Sequence, residues 1–305
     1  MNITILYGGT STEHKISIQT GLAIAEAIKD RYNLDMINLN TEIYNTPHLL
    51  LDTDLVFNAL HGGDGENGSI QSFLDLHHIP YTGSGAKACK IAMDKNITKL
   101  IAKSVDIPTP NWVLLKRNAN NGMQLQDNDS PKFSYPYVVK PADEGSTFGL
   151  TIVNEESELN DAISLAAEFS DEILIEEFIP GKELTVSILG NKSLPIIEII
   201  PSHKLYDYDC KYTEGMSEYV VPADLSDSIE RSLSEDALKI YKTIGCRHYA
   251  RADFRLNDEG QHYLLEINTL PGMTSTSLLP KAAKAAGLEF PELIDTIIKI
   301  ASLNN

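Results

Sequence analysis

Residues 249–278 read YARADFRLNDEGQHYLLEINTLPGMTSTSL. Two strand-like runs, YARADFRL and YLLEIN, flank NDEG, Asn257 to Gly260, and the pattern predicts a hairpin about that turn. Side chains two apart along a strand share a face. Arg251 and Asp253 then project together, as do Glu266 and Asn268, with Ile267 turned away. Pairing the strands gathers Asp253, Glu266 and Asn268, three hard oxygen donors that suit Mg²⁺, an ion that takes a few protein ligands and keeps positions for water and phosphate oxygens. Each of the three, taken singly, also suits a polar position on a half-exposed sheet. Two such pairs on adjacent strands, followed by Pro271, Gly272 and a run of hydroxyls, favour the metal.

Phosphate held by Mg²⁺ calls for cations. Lys95 in MDKN, Lys140 at the end of YVVK and Lys211 in the tyrosine-rich YDYDCKYTEG are the candidates, though each alone reads more readily as a solvated surface lysine, Lys140 least so. Lys140 is followed by PADEGSTFG, Pro141 to Gly149, whose backbone N–H groups can cover phosphates.

Upstream, residues 1–85 alternate apolar strand runs (ITILYGG, LDMINL, LVFNALHGG) with helix patterns (SIQTGLAIAEAI, SIQSFLDLHH), the signature of a parallel α/β sheet. The module is Rossmann-like but lacks G-x-G-x-x-G, so dinucleotide binding is not indicated. From Ala86 one helix pattern runs through KACKIAMDKNITKLIAKS until Pro108 and Pro110 stop it. The polar stretch 117–130 reads as a mobile loop. YVVK, LTIV, the helix ESELNDAISLAAEF and EILIEEFI then form a small sheet with a covering helix. ELTVSILG and LPIIEII open the last part, which continues through a long helix at 227–244 and closes with two helices. The expected organisation is α/β in three modules, 1–85, 86–180 and 181–305.

Two loops of the first module stand out. In GGTSTEHKIS, Glu13 is either a first-turn acid favoured by the helix dipole or a ligand for an amino group. HGGDGENGS, His61 to Ser69, lacks EF-hand spacing, and its glycines make a turn at a strand's carboxyl end, where open parallel sheets bind ligands.

Charge bounds the partners. Lys plus Arg number 25 against 43 Asp plus Glu, a net charge of −18, which argues against nucleic acid or an acidic membrane held by a general field. Cys89, Cys210 and Cys246 show no metal-ligand rhythm and read as reduced thiols of a cytoplasmic protein. The start MNITILYGG has no basic leader, and no apolar run approaches the ~18 residues of a membrane span.

In order along the chain, YGGTSTEHKIS, ALHGGDGENGSIQ, YTGSG, MDK, VVKPADEGSTFG, IEEFIPGKELTV, YDYDCKY, ARADF and LLEINTLPGMTSTSLLP resemble the D-alanine–D-alanine ligases of the ATP-grasp superfamily, over essentially the whole length. The resemblance implies an ATP-grasp fold: an N-terminal Rossmann-like substrate domain, a central grasp subdomain, and a C-terminal grasp subdomain carrying the metal and catalytic site. It implies ATP-dependent synthesis of D-alanyl-D-alanine for peptidoglycan, through an acyl phosphate and a tetrahedral intermediate. ATP, two Mg²⁺ or Mn²⁺ ions and a cytoplasmic homodimer come with it.

By position, the resemblance makes Asp253, Glu266 and Asn268 metal ligands, and Lys95, Lys140 and Lys211 phosphate contacts. Glu176, Glu177, Phe178 and Ile179 match the segment beside adenine, with Glu183 the ribose-binding acid. Glu177 departs from the pattern, since several relatives carry lysine there. Arg251 and the Gly272 N–H match the oxyanion stabilisers. Glu13 matches the ligand of the first D-alanine's ammonium, with His61 nearby, and Ser277 with Leu278 the site of the second D-alanine's carboxylate. Ser146 and Tyr212 match the pair that joins a mobile loop to Glu13. Runner-up functions are a D-alanine–D-lactate ligase, which Tyr212 disfavours, another carboxylate–amine ligase of the grasp fold, and a nucleotide-binding regulator without turnover. A pure binder has no need of transition-state donors.

Overall fold

The computed structural model describes residues 1–39, 47–118, 122–125, 131–202 and 216–303. The first sheet is parallel, with β1 (Asn2–Gly8) between β2 (Asn33–Leu39) and β3 (Leu55–Asn58). β1 and β3 are buried almost throughout, the reason they read as unbroken apolar runs. α1 (His14–Ile28) follows β1, and α2 (Ser69–Leu76) follows the loop after β3. Both loops leave the same carboxyl edge, and the Ser11 hydroxyl ties them by donating to the His61 carbonyl at 2.5 Å.

The single helix expected from Ala86 is two: α3 (Ala86–Met93) and α4 (Lys95–Ser104). Asp94 makes the break, because its side chain accepts the Ile97 N–H at 2.9 Å and so caps a new helix. Lys95 thereby starts α4, and its N–H donates to the Ala142 carbonyl at 2.9 Å.

The second sheet is antiparallel. It comprises β4 (Trp112–Arg117), β5 (Met123–Leu125), β6 (Tyr137–Pro141), β7 (Thr151–Val153) and β8 (Glu172–Glu177), in the order β5-β4-β8-β6-β7. α5 (Glu156–Ala166) packs on β6 and β7. Part of the stretch expected as a loop is therefore sheet: Arg117 ends β4 and pairs with Met123 of β5. Residues 119–121 and 126–130 of that stretch lie outside the described residues.

The third sheet contains β9 (Lys182–Leu189), β10 (Lys192–Ser193), β11 (Ile197–Pro201), β12 (Ser217–Val220), β13 (Tyr249–Leu256) and β14 (His262–Asn268). The order is β12-β11-β9-β13-β14, with β10 on β9. α6 (Asp227–Ile244) is capped by Ser226 and ended by Gly245 at φ +85. With α3 and α4 it buries Ala92, Ala102, Ala237 and Ile240 against Val186, Ala252 and Ile267. α7 (Leu278–Ala285) and α8 (Phe290–Leu303) end the described chain. α8 returns to the first sheet, where Leu293, Ile294, Ile297 and Ile298 share one core with Ile5, Leu55 and Phe57.

The hairpin forms about Asn257 and Gly260, with Arg251 opposite Asn268 and Asp253 opposite Glu266. Between Asp253 and Phe254 the register slips by one. Strict alternation would place Leu264 on the face of Glu266, but the bulge buries Leu264 and Ile267 in the core and leaves Leu265 and Glu266 half-buried at the cleft. Cys89 and Cys246 are buried free thiols, which burial pushes up to about 11 and about 12. Cys210 lies outside the described residues.

Candidate active site

Two cavities open between the sheets. The first is walled by β6, β8, β13, β14 and the loop after β6. At its inner end Glu176 is buried on β8, and its two oxygens meet different cations. Lys140 donates to Oε1 at 3.1 Å, and the Lys99 ammonium lies 2.7 Å from Oε2. Lys99 is wholly enclosed; it donates to the Thr109 hydroxyl at 2.8 Å, which donates on to the Leu264 carbonyl at 2.8 Å. Burial pushes the Lys99 ammonium down to about 8, and Glu176 opposes the shift. Burial alone would raise the Glu176 carboxyl, but the charges of Lys140 and Lys99 outweigh it and hold the group below its ordinary value.

The outer wall is the segment 177–183, braced by Arg255. Its guanidinium donates to the Ile179 carbonyl at 3.0 Å, the Gly181 carbonyl at 2.7 Å and Glu183 at 3.4 Å, and sits 5.8 Å from the Phe178 ring. Gly181 takes φ +115, and a Cβ there would meet the Leu256 carbonyl oxygen at 2.1 Å. Only glycine fits.

Where the first cavity meets the second, the Arg251 guanidinium holds both oxygens of Asp253, and the Thr185 hydroxyl donates to Oδ1 at 2.5 Å. The Lys95 ammonium lies 3.4 Å from Glu266 and donates to the Glu144 carbonyl at 2.5 Å. Asn268 accepts the Leu270 N–H at 2.8 Å, which leaves its oxygen a second lone pair. Among the described residues no three His, Cys, Asp or Glu side chains cluster. The donor set is instead two carboxylates and one amide on paired strands, which fits an ion that draws its remaining oxygens from phosphate and water.

The second cavity lies between the first sheet and the start of α7. Glu13 is buried there and accepts from the Ser146 hydroxyl. Gly62, at φ +64, lets its loop approach; a Cβ would stand 2.9 Å from Glu13 Oε2. His61 Nε2 bonds the Thr20 hydroxyl at 2.9 Å, and its Nδ1 is 3.5 Å from Glu66. Across the cavity Ser277 precedes α7 as its cap residue; its hydroxyl accepts the Thr274 N–H at 3.1 Å and shares a 2.8 Å hydrogen bond with the Thr274 hydroxyl. The free N–H groups of the α7 N-terminus and Ser277 suit a carboxylate. Ser146 and Thr147, at φ +49 and +66, occupy left-handed backbone that non-glycine residues seldom take, in the loop roofing both cavities.

The first cavity thus gathers Lys95, Lys140, Glu176, Glu177, Phe178, Ile179, Glu183, Asp253 and Glu266; the second gathers Glu13, His61, Asn268, Gly272, Ser277 and Leu278. Lys95, Ser146, Arg251 and Glu266 border both. The Glu177 carboxylate accepts from Asn111 Nδ2 at 2.8 Å. Lys211 and Tyr212 lie outside the described residues, as does the whole of YDYDCKYTEG. Sequence reasoning missed Lys99, Arg255, Thr185, Glu66 and Glu144. Arg255 carried a signal, since it shares the face of Arg251 and Asp253 two residues on.

The family profile of the D-ala D-ala ligase C-terminus matches residues 101–299, and that of the D-ala D-ala ligase N-terminus matches 38–84. A D-alanine–D-alanine ligase from Halalkalibacterium halodurans is 42% identical over 307 residues, covering 99% of each chain. One from Aquifex aeolicus is 42% identical over 301 residues, covering 98% of this chain and 100% of the relative. The crystal structure of D-alanine–D-alanine ligase from Bacillus anthracis superposes with a TM-score of 0.87 at 36% identity, covering 99% of this chain and 97% of that one. The same enzyme complexed with ATP gives 0.84 at 35% identity, covering 99% and 96%. A D-Ala:D-Ser ligase from Enterococcus faecalis gives 0.83 at 29% identity, covering 98% and 99%.

Proposed function

The chain belongs to the D-alanine–D-alanine ligase family, with the ATP-grasp fold, and from this premise we propose how its two cavities divide the reaction. The protein is an ATP-dependent, ADP-forming ligase that joins two D-alanines into D-alanyl-D-alanine, a peptidoglycan precursor. ATP occupies the first cavity, with its base beside Glu176–Ile179, its ribose at Glu183 and its phosphates at Lys95 and Lys140. The acids that flank these positions hold the lysines in place.

The first D-alanine sits in the second cavity, its ammonium on Glu13, near His61. Its carboxylate attacks the γ-phosphorus; the bond to ADP breaks and an acyl phosphate forms. The second D-alanine rests its carboxylate on Ser277 and the Leu278 N–H. Its ammonium loses a proton, the amine attacks the acyl carbon, and phosphate leaves. Arg251 and the Gly272 N–H stabilise the oxyanion, as fixed donors aimed at developing charge. Asp253, Glu266 and Asn268 would hold two Mg²⁺ or Mn²⁺ ions, which when bound offset phosphate charge. The Ser146 hydrogen bond to Glu13 supports a roof that senses the first substrate; Tyr212 completes that link, and Lys211 adds a phosphate contact.

The single observation carrying this assignment is the shared wall of Lys95, Glu144, Gly145, Ser146, Arg251 and Glu266, across which a carboxylate in one cavity reaches a phosphate in the other. Among the described residues no helix is long and apolar enough to cross a membrane. The protein works in the cytoplasm as a homodimer with modules 1–85, 86–180 and 181–305, on the family's pattern; light scattering tests the dimer. Phosphate release with ATP and Mg²⁺ against D- and L-amino acids, D-lactate and D-serine tests the reaction. D-alanine alone should give strong turnover, and equal activity with L-alanine overturns the assignment.

A further inference from the structure

We propose that Lys99 is a positioning residue for ATP: by occupying Glu176 Oε2 it leaves the Lys140 ammonium available to the phosphates. The proposal rests on the assignment of ATP to the first cavity. Lys140 and Glu176 both line that cavity, whereas Lys99 lies behind them, without solvent exposure and without reaching the cavity. Lys140 is 3.1 Å from one carboxylate oxygen and Lys99 is 2.7 Å from the other. Two ammonium groups on one carboxylate leave a net charge of +1 on the triad. Without Lys99, Lys140 and Glu176 become a neutral one-to-one pair, and the cation facing the phosphates is drawn onto the carboxylate beside it.

The surroundings of Lys99 fix its direction. Its ammonium donates to Thr109, whose own proton is committed to the Leu264 carbonyl, so the hydroxyl faces Lys99 as an acceptor. The ammonium also lies over the Trp112 ring, 5.0 Å from its centroid. Burying three charges together is unfavourable unless each is paired, and an apolar residue at 99 would spare the fold one of them. The triad therefore makes sense through its ligand.

The test is calorimetric titration of the whole protein with ATP, ADP and adenosine. Lys99→Met should weaken ATP and ADP by about tenfold, the factor equivalent to ~1.4 kcal/mol, while adenosine changes less than about twofold. The KM for D-alanine should not move. In Lys99→Met/Glu176→Gln the net charge of the triad returns to +1 with no unpaired buried carboxylate, and the ratio of ATP to adenosine affinity should return to the parental value. Equal weakening of ATP and adenosine, no change in either, or a double variant still deficient in that ratio would overturn the proposal. If Lys99→Met does not fold, the double variant carries the test by itself. Lys140→Met separates the two layers of inference. If it leaves ATP binding unchanged, the placement of ATP is wrong; if it weakens ATP while Lys99→Met does not, the role of Lys99 is wrong.

Discussion

Both oxygens of the Asp253 carboxylate accept from the Arg251 guanidinium, from Nε at 2.9 Å and from Nη2 at 2.8 Å. The two residues stand two apart on β13, so the strand's own pleat sets the pairing. A bidentate fork fixes the plane of the guanidinium as well as its position. Arg251 borders both cavities, and in the proposed mechanism the fork holds it ready where charge develops during acyl transfer.

Arg251→Lys should therefore fold and bind ATP yet lose about 10²-fold in kcat, since a point-charge ammonium cannot grip Asp253 and still present a planar donor pair. Steady-state kinetics with both substrates varied decide this. Parental kcat would show that the oxyanion is stabilised elsewhere.

Glu266→Gln preserves shape but removes the charge that faces Lys95 at 3.4 Å and, in the proposed site, the metal. Activity should fall and recover in part as Mg²⁺ is raised, because weaker coordination is offset by mass action. Titrating Mg²⁺ against rate measures it. A variant indifferent to Mg²⁺ would remove Glu266 from the ligand set.

Much of this site was legible because it is written in short-range geometry. Glu266 and Asn268 share a face by the period of a strand, and Asp253 meets them because a hairpin needs only a four-residue turn. The bulge at Asp253/Phe254 was not legible: it depends on how two strands slip in register, and it alone puts Leu265 in the cleft. Lys99 was hidden for a different reason. On an amphipathic helix a lysine looks like a solvated residue, and only the packing of α4 against β14, which brings Lys99 to Glu176 on β8, shows its partner. Asp94 could have been read as a cap that splits the helix. The return of α8 to the first sheet left no local sign, because a long-range choice between apolar faces is not encoded in periodicity.

Gly181→Ala should destabilise the protein by about 2 kcal/mol or more, since it combines a left-handed φ with a collision against backbone. The Leu256 carbonyl cannot retreat cheaply, because Leu256 is paired with Lys182 in the sheet. The same loop carries the Gly181 carbonyl that anchors Arg255, so the KM for ATP should rise with the loss of thermal stability. Thermal melts and ATP kinetics on the purified variant check both, and a parental melting temperature would show that the loop has room to relax.

Lys99 also predicts opposite responses of stability and nucleotide affinity to pH. Its ordinary value is 10.5 and burial holds it near 8 in the fold, with Glu176 from β8 opposing the shift and Lys140 from β6 and Lys103 from α4 adding to it. Between those two values the unfolded chain binds more protons than the folded one at this site. Stability therefore gains with rising pH across the window, and the penalty of burying the charge is fully present below about 8. ATP affinity should move the other way. Once Lys99 loses its proton, Lys140 becomes the sole counter-ion of Glu176, and binding of ATP should weaken above about pH 8 while adenosine holds steady. Lys99→Arg keeps its charge throughout and should flatten the ATP profile. Calorimetric titrations from about pH 6.5 to 9.5, with melts of the same samples, measure both trends. An ATP profile that falls identically in Lys99→Arg would assign the loss to another group and leave Lys99 without a part in it.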